Sequence, residues 1–255
     1  MATIPSGNSS APRPRAPLST AFAQPAALTM FVFGFASGLP FLLVGGTLSV
    51  WLKDSGISLE HLGLVSYVTL CYSLKFLWAP VVDSLRLPAL GRLGQRRSWL
   101  LAAQLVLLAS LLAMAWATPQ SFAVFVLLTF VAAFAGATQD VVVDAYRIEI
   151  APAEAQGALA ATYTLGYRLA LLTSGALALI LADHWAWSRV YQLMAAILVA
   201  VMVATLCARE PVHPQRRARA AGTTLATSVL GPFRDFFQRY AGGLGIALLL
   251  FIGLF

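Results

Sequence analysis

Residues 121–146 read SFAVFVLLTFVAAFAGATQDVVVDAY, a run in which most side chains are apolar. It is long enough to cross a bilayer, because a spanning helix needs about 20 residues for roughly 30 Å of hydrocarbon. The run nevertheless carries two acids, Asp140 and Asp144. A charge at bilayer depth costs roughly 2.5–3.5 kcal/mol on insertion scales, so these acids must face protein or water. The run therefore predicts a membrane helix with one polar side, packed among other helices.

The rest of the chain repeats this apolar pattern. Of its 255 residues 59% are hydrophobic and 11% are charged, whereas a soluble domain carries roughly 25% charged residues. Reading windows of about 20 apolar residues predicts six complete spans, numbered 1 to 6 in chain order. They are expected at 27–51, 62–82, 99–117, 121–146, 158–182 and 190–208. The sequence thus predicts an all-α membrane protein.

The segments outside the spans define the domain organisation. Residues 1–25 are rich in Pro, Ser and Ala, which predicts a disordered cytoplasmic tail. Residues 26–208 form the six-helix bundle, and 209–240 are expected to be a basic, amphipathic linker on the cytoplasmic face. Residues 241–255 begin a seventh span in which the chain stops. We therefore expect activity to need a further C-terminal half or a partner chain that supplies it.

The basic residues set the orientation. Most Lys and Arg residues fall in the tail, in 83–98, in 147–157 and in 209–240, whereas the opposite loops hold only Lys53 and Arg189. Because positive loops stay in the cytoplasm, the N-terminus is predicted to be cytoplasmic. The net charge of +7 is not a sign of nucleic-acid binding, since these residues occupy short loops and form no basic face.

Charged residues inside the spans predict a polar seam. Asp140, Asp144 and Arg147 are spaced i, i+4 and i+7 and so share one stripe of span 4. Lys75 in span 2 and Arg168 in span 5 are the cations expected to face it. A static ion network that fixes helix register is one reading. A solute or proton pathway is the other interpretation. It is favoured because fixing the register of the helices does not need as many as two acids and two bases.

A second group of residues lies at the inner end of the bundle. An acid at a helix end, followed by a turn rich in Gly and Arg, can pair with a neighbouring helix terminus and latch one conformation. The predicted latch consists of Asp83, Gly91, Arg92, Arg96, Arg97 and Arg147. The alternative is ordinary positive-inside loop chemistry, which explains the arginines but neither Asp83 nor the glycines.

Four motifs carry a family resemblance. They are GFASGLPF at 34–41, SLKFLWAPVVD at 73–83, RRSW at 96–99 and ATQDVVVDAYR at 137–147. Over residues 28–210 the chain resembles the AmpG muropeptide permeases of the major facilitator superfamily, and related acetyl-CoA transporters share parts of these motifs. The resemblance implies a major facilitator N-terminal six-helix bundle with the start of helix 7. It also implies a proton-driven importer of anhydromuramyl-peptides in the bacterial inner membrane, which serves peptidoglycan recycling and influences β-lactam resistance.

Roles for individual residues follow as hypotheses. Muropeptides are anionic, so Lys75 and Arg168 are expected to bind substrate carboxylates, with Gln139 and Tyr146 supplying neutral hydrogen bonds. Asp140 and Asp144 are the expected proton-coupling pair. The transporter is expected to need no cofactor; its partners are the solute, protons and the lipid bilayer, without nucleic acid.

Other functions remain as alternatives. One is transport of another anionic solute such as an acyl-CoA, and another is a truncated remnant that does not transport. An intramembrane enzyme using Asp140 and Asp144 is disfavoured, because paired catalytic acids usually come from separate elements. No catalytic residue is assigned, and the three histidines are too scattered to suggest a metal site. They are His61, His184 and His213.

Overall fold

A computed structural model describes residues 25–87 and 93–211, together with 231, 234–236, 238–240 and 245–248. The expected tail, most of the linker and most of the seventh span lie outside these residues. The described helices are α1 Pro25–Leu43, α2 Gly46–Asp54, α3 Leu59–Ser66, α4 Leu70–Leu74, α5 Ala79–Ser84, α6 Gln95–Trp116, α7 Phe122–Ile150, α8 Gln156–Leu172, α9 Ala178–Ala182 and α10 Trp187–Cys207. Over the described ranges the chain is all-helical, as the sequence predicts.

Within the described residues, five segments are long and apolar enough to cross a membrane. They are Pro25–Asp54, Gln95–Trp116, Phe122–Ile150, Ala153–Ala182 and Trp187–Cys207. They correspond to predicted spans 1, 3, 4, 5 and 6, and together they make the chain a multi-pass membrane protein. Their ends differ from the prediction by a few residues, because polar residues such as Gln95 and Glu149 continue the helices beyond the apolar core.

Span 2 differs from the single helix predicted at 62–82. Residues 59–84 are helical, but 3₁₀ turns at Tyr67–Thr69 and Lys75–Leu77 divide them into α3, α4 and α5. Pro80 follows the second break, where a residue without a backbone N–H fits the first turn of a new helix. A 3₁₀ stretch inside a helix often marks a hinge. The second break contains Lys75, one of the charges expected in the seam.

Span 1 is also interrupted. It contains Pro40, and Gly45 separates α1 from α2. Hydrogen bonds to neighbouring spans lie at this break: the Tyr191 hydroxyl of span 6 donates to the Leu43 carbonyl at 2.7 Å, and the Thr47 hydroxyl of span 1 donates to the Ser174 carbonyl of span 5 at 2.6 Å. Because backbone polar groups cannot remain unpaired in lipid, these bonds stabilise the interruption.

The two glycines of the first motif allow spans 1 and 5 to pack closely. A Cβ at Gly38 would lie 2.6 Å from the backbone oxygen of Tyr167, and a Cβ at Gly34 would overlap the backbone oxygen of Tyr163. Small residues permit this backbone approach in membrane bundles. As a result α8 lies directly on α1, whereas its outer side, with Leu165 and Leu172, is exposed in this chain.

Candidate functional site

Four charged side chains meet between spans 2 and 4. Lys75 Nζ lies 3.3 Å from Asp144 Oδ2 and 3.9 Å from Asp140 Oδ2, and Arg147 lies 3.6 Å from Asp144 Oδ1. The i, i+4, i+7 spacing on the continuous helix α7 places the two acids and Arg147 on one side, as predicted. We call Lys75, Asp140, Asp144 and Arg147 the central charge cluster.

The two acids of this cluster differ in exposure. The Asp140 side chain is 11% exposed, whereas that of Asp144 is 43% exposed. Asp140 Oδ1 is buried, and among the described residues it has no hydrogen-bond partner. Asp144, in contrast, is paired with Lys75 and Arg147. The cluster is therefore open at Asp144 and closed at Asp140.

Three tyrosines interact electrostatically with the buried acid Asp140. Tyr72 from span 2 and Tyr163 and Tyr167 from span 5 all lie within electrostatic range of Asp140. The Arg147 guanidinium lies over the Tyr163 ring, with Cζ 5.6 Å from the ring centroid, at a distance where a cation is attracted to an aromatic face. Sequence reasoning missed these tyrosines. The available signal was the i, i+4 spacing of Tyr163 and Tyr167 within an apolar span.

Gln139 and Tyr146, expected to contact the solute, are buried elsewhere in the bundle. Gln139 is fully buried and donates to the Ala36 carbonyl at 2.7 Å, so it joins span 4 to span 1. The Tyr146 hydroxyl donates to the Arg209 carbonyl at 2.6 Å. Each side chain is thus engaged in helix packing, and its contact with the solute stays a prediction.

Arg168 is not part of the central charge cluster. It is exposed beside Leu169 on α8, and within the described residues it forms no hydrogen bond or ion pair. Its role in solute binding stays a prediction, but in this structure it does not pair with the acids. The reason is helical phase: the residue after Tyr167 is rotated by about 100° from the face that carries the tyrosines.

A second cluster lies at the inner end. The Arg96 guanidinium contacts Asp83 at 2.6 Å and Glu149 at 2.6 and 3.1 Å, and its side chain is only 3% exposed. We call Asp83, Arg96 and Glu149 the inner charge cluster. It joins the ends of spans 2, 3 and 4. Sequence reasoning missed Glu149 because it assigned residues 147–157 to a loop, whereas α7 continues to Ile150.

Span 6 is tied to the same end. Glu210 accepts hydrogen bonds from the backbone amides of Arg96 and Arg97 at 2.7 and 3.0 Å, which satisfies free N–H groups at the start of α6. Gly94 has a φ of +96°, and a Cβ there would overlap the Glu210 side chain. The Arg97 guanidinium donates to the Leu206 carbonyl.

The remaining latch residues are distributed differently from the prediction. Arg147 pairs with Asp144 and so belongs to the central charge cluster. Gly91 and Arg92 lie outside the described residues. In the part of the chain that the structure describes, no three His, Cys, Asp or Glu side chains come together as a metal site. The two clusters consist of ion pairs and hydrogen bonds between charged side chains.

Comparison with known proteins agrees with this architecture. The model of the Major Facilitator Superfamily matches residues 6–255. The anhydromuropeptide permease of Escherichia coli K12 is 44% identical over 220 residues, which cover 86% of this chain and 43% of that protein. The putative transporter AmpG 4 of Rickettsia conorii is 35% identical over 214 residues, covering 82% and 52% respectively. The chain spans about half the length of these relatives.

The chain belongs to the Major Facilitator Superfamily. Within it, the resemblance to the AmpG-type permeases drawn from the four motifs is confirmed by these two relatives. These relatives are named as a permease and a transporter.

Proposed function

We propose that the protein is a proton-coupled importer of anhydromuramyl-peptides across the bacterial inner membrane, with its N-terminus in the cytoplasm, and that it acts in peptidoglycan recycling. The observation that carries the proposal is the position of Lys75 between two carboxylates of unequal exposure, at 3.3 and 3.9 Å. The similarity to the Escherichia coli permease supports the substrate class.

Charge balance suggests how a proton and an anionic solute are coupled. With both acids ionised, the central charge cluster holds two negative and two positive groups. A proton on Asp140 leaves one uncompensated positive charge, which attracts a solute carboxylate towards Lys75. When the proton leaves, Asp140 competes for Lys75 again and the solute is released. Such differential binding to two states is what a ligand needs to shift a conformational equilibrium.

Asp140 is the better proton carrier of the two acids. Its Oδ1 is buried and without a partner in the described residues, and a buried charged oxygen that lacks a hydrogen bond is costly. A proton on Asp140 removes the buried charge and so lowers this cost. Asp144 is more exposed, and its two oxygens face Lys75 and Arg147. We therefore assign proton exchange to Asp140 and the holding of Lys75 to Asp144.

The inner charge cluster is proposed to act as the latch of the inward-closed state. Arg96 joins Asp83 on the divided span 2 to Glu149 on the continuous span 4. Asp83 is 49% exposed, so its contact can break at lower cost than the buried contact to Glu149. Span 2 would then move while spans 3 and 4 remain joined.

Uptake by proteoliposomes tests this function. The complete gene product that carries this segment is reconstituted, and radiolabelled anhydromuramyl-peptide is supplied with and without an inward proton gradient. We expect accumulation only with the gradient, and loss of accumulation in Lys75→Met. Arg189→Met, which removes an exposed cation from the first turn of α10, is the matched control and should behave as wild type. Absence of gradient-driven uptake by the wild type would refute the proposed function.

A further inference from the structure

Span 5 carries two phenol rings towards the central charge cluster. Tyr163 and Tyr167 are one helical turn apart on α8, with ring centroids 6.2 Å apart and planes inclined by 33°. Both side chains are half-buried, and both lie within electrostatic range of Asp140. The other side of the same helix carries Leu165 and Leu169, which are exposed. Span 5 therefore has an aromatic side next to the charges and an aliphatic side away from them.

The backbone of this tyrosine pair is fixed by span 1. The carbonyls of Tyr163 and Tyr167 lie against Gly34 and Gly38, which have the same i, i+4 spacing as the tyrosines. No side chain larger than that of glycine fits between the two helices at these points. The rings therefore project from a backbone with little freedom to shift, and a preorganised surface loses less entropy when it binds a ligand.

The chemistry of the pair suits one class of ligand group. Aromatic rings offer flat apolar area, and phenol hydroxyls offer hydrogen bonds at the edge of that area. A pyranose ring has the matching character, with C–H groups on its faces and hydroxyls at its rim. Two rings one turn apart extend about 6 Å along the helix, which is close to the width of one sugar ring. Binding sites typically combine such aromatic walls with a few placed charges.

We propose that Tyr163 and Tyr167 form an aromatic subsite that receives a sugar ring of the solute, next to the carboxylate-binding Lys75. This inference rests on the proposed function, since it assigns the sugar of an anhydromuramyl-peptide to the aromatic rings and its carboxylate to the charged residues. Arg147 lies over Tyr163 and pairs with Asp144, so it connects the two parts. A solute that contacts the rings is thereby within reach of the central charge cluster.

A different role for the tyrosines would be to hold Asp140 through their hydroxyls. Two pairs of substitutions separate the roles. Tyr163→Phe with Tyr167→Phe keeps the rings and removes the hydroxyls, whereas Tyr163→Leu with Tyr167→Leu removes both. Tyr67→Leu removes an exposed tyrosine from the outer end of span 2 and serves as the matched control.

The test measures two constants in the proteoliposomes described above. One is KM for radiolabelled anhydromuramyl-peptide, and the other is the inhibition constant of the same peptide without its sugar. The leucine pair should raise KM about tenfold, since it removes two aromatic contacts. It should leave the inhibition constant unchanged within about twofold. The phenylalanine pair keeps the rings and loses only the hydroxyl bonds to the sugar rim, so it should raise KM by less than the leucine pair, about threefold. Tyr67→Leu should change neither constant by more than about twofold.

The proposed subsite would be refuted if the leucine pair changed both constants equally or left KM unchanged. A phenylalanine pair as impaired as the leucine pair would also refute it, because that result leaves the aromatic rings without a part in binding. If the leucine pair does not insert, Tyr167→Leu alone gives the same comparison with a smaller shift. A wild type that takes up no anhydromuramyl-peptide refutes the proposed function itself, and is recognised before any variant is compared.

Discussion

The inner charge cluster predicts unequal contributions from its two acids. Glu149 makes two hydrogen bonds, at 2.6 and 3.1 Å, to a guanidinium that is 3% exposed, and its own side chain is 13% exposed. Asp83 contacts the same guanidinium at 2.6 Å and is 49% exposed. Hydrogen bonds to charged groups contribute about 1.5–3 kcal/mol, whereas exposed ion pairs contribute about 0–1 kcal/mol. We therefore expect Glu149→Gln to lower the free energy of unfolding by about 2–3 kcal/mol and Asp83→Asn by at most about 1 kcal/mol.

Reversible unfolding in mixed detergent micelles measures both losses. A double-mutant cycle with Arg96→Met then separates the pairing from the cost of leaving a buried charge alone. In the Arg96→Met background, Glu149→Gln should recover stability, because it removes a buried carboxylate that has lost its partner. Equal losses for Glu149→Gln and Asp83→Asn, or additive effects of Glu149→Gln and Arg96→Met, would refute this reasoning.

Three further predictions concern single contacts. Gly34→Ala should lower the free energy of unfolding by about 1–3 kcal/mol, because the added Cβ meets the Tyr163 carbonyl. Gly63 has open space around it, so Gly63→Ala should be neutral in the same unfolding assay. Glu210→Gln should weaken the cap of α6 by about 1 kcal/mol, seen as faster hydrogen exchange of the amides at its start; unchanged exchange would contradict the cap. Arg168→Gln should leave unfolding unchanged, and a clear loss would show that it has a partner after all.

The sequence predicts the bundle well because membrane helices can be recognised by their length and apolar content. Spans 1, 3, 4, 5 and 6 were found on this basis alone. Span 2 shows the limit of the method: a hydropathy window averages over residues 62–82 and cannot register the local 3₁₀ turn at Lys75–Leu77. That break depends on local backbone geometry and on the packing of span 2 against span 4.

The central charge cluster was only partly predictable. The spacing of Asp140, Asp144 and Arg147 fixes their common side of α7, whatever the neighbours are. The choice between Lys75 and Arg168 as partner is different, since it depends on the rotation of each helix about its own axis. That rotation is set by contacts between helices, such as Gly34 against Tyr163. Such a contact cannot be read from the sequence of either helix alone.

The most direct test of the central claim compares two transport activities of Asp140→Asn. One is proton-driven accumulation of the solute, and the other is exchange of solute at equal concentrations on both sides of the membrane. An asparagine at 140 keeps the shape but cannot bind and release a proton, so the variant should exchange solute across the proteoliposome membrane and fail to accumulate it against a gradient. Retained accumulation by Asp140→Asn would contradict the assignment of proton exchange to this carboxylate between Lys75 and the tyrosines.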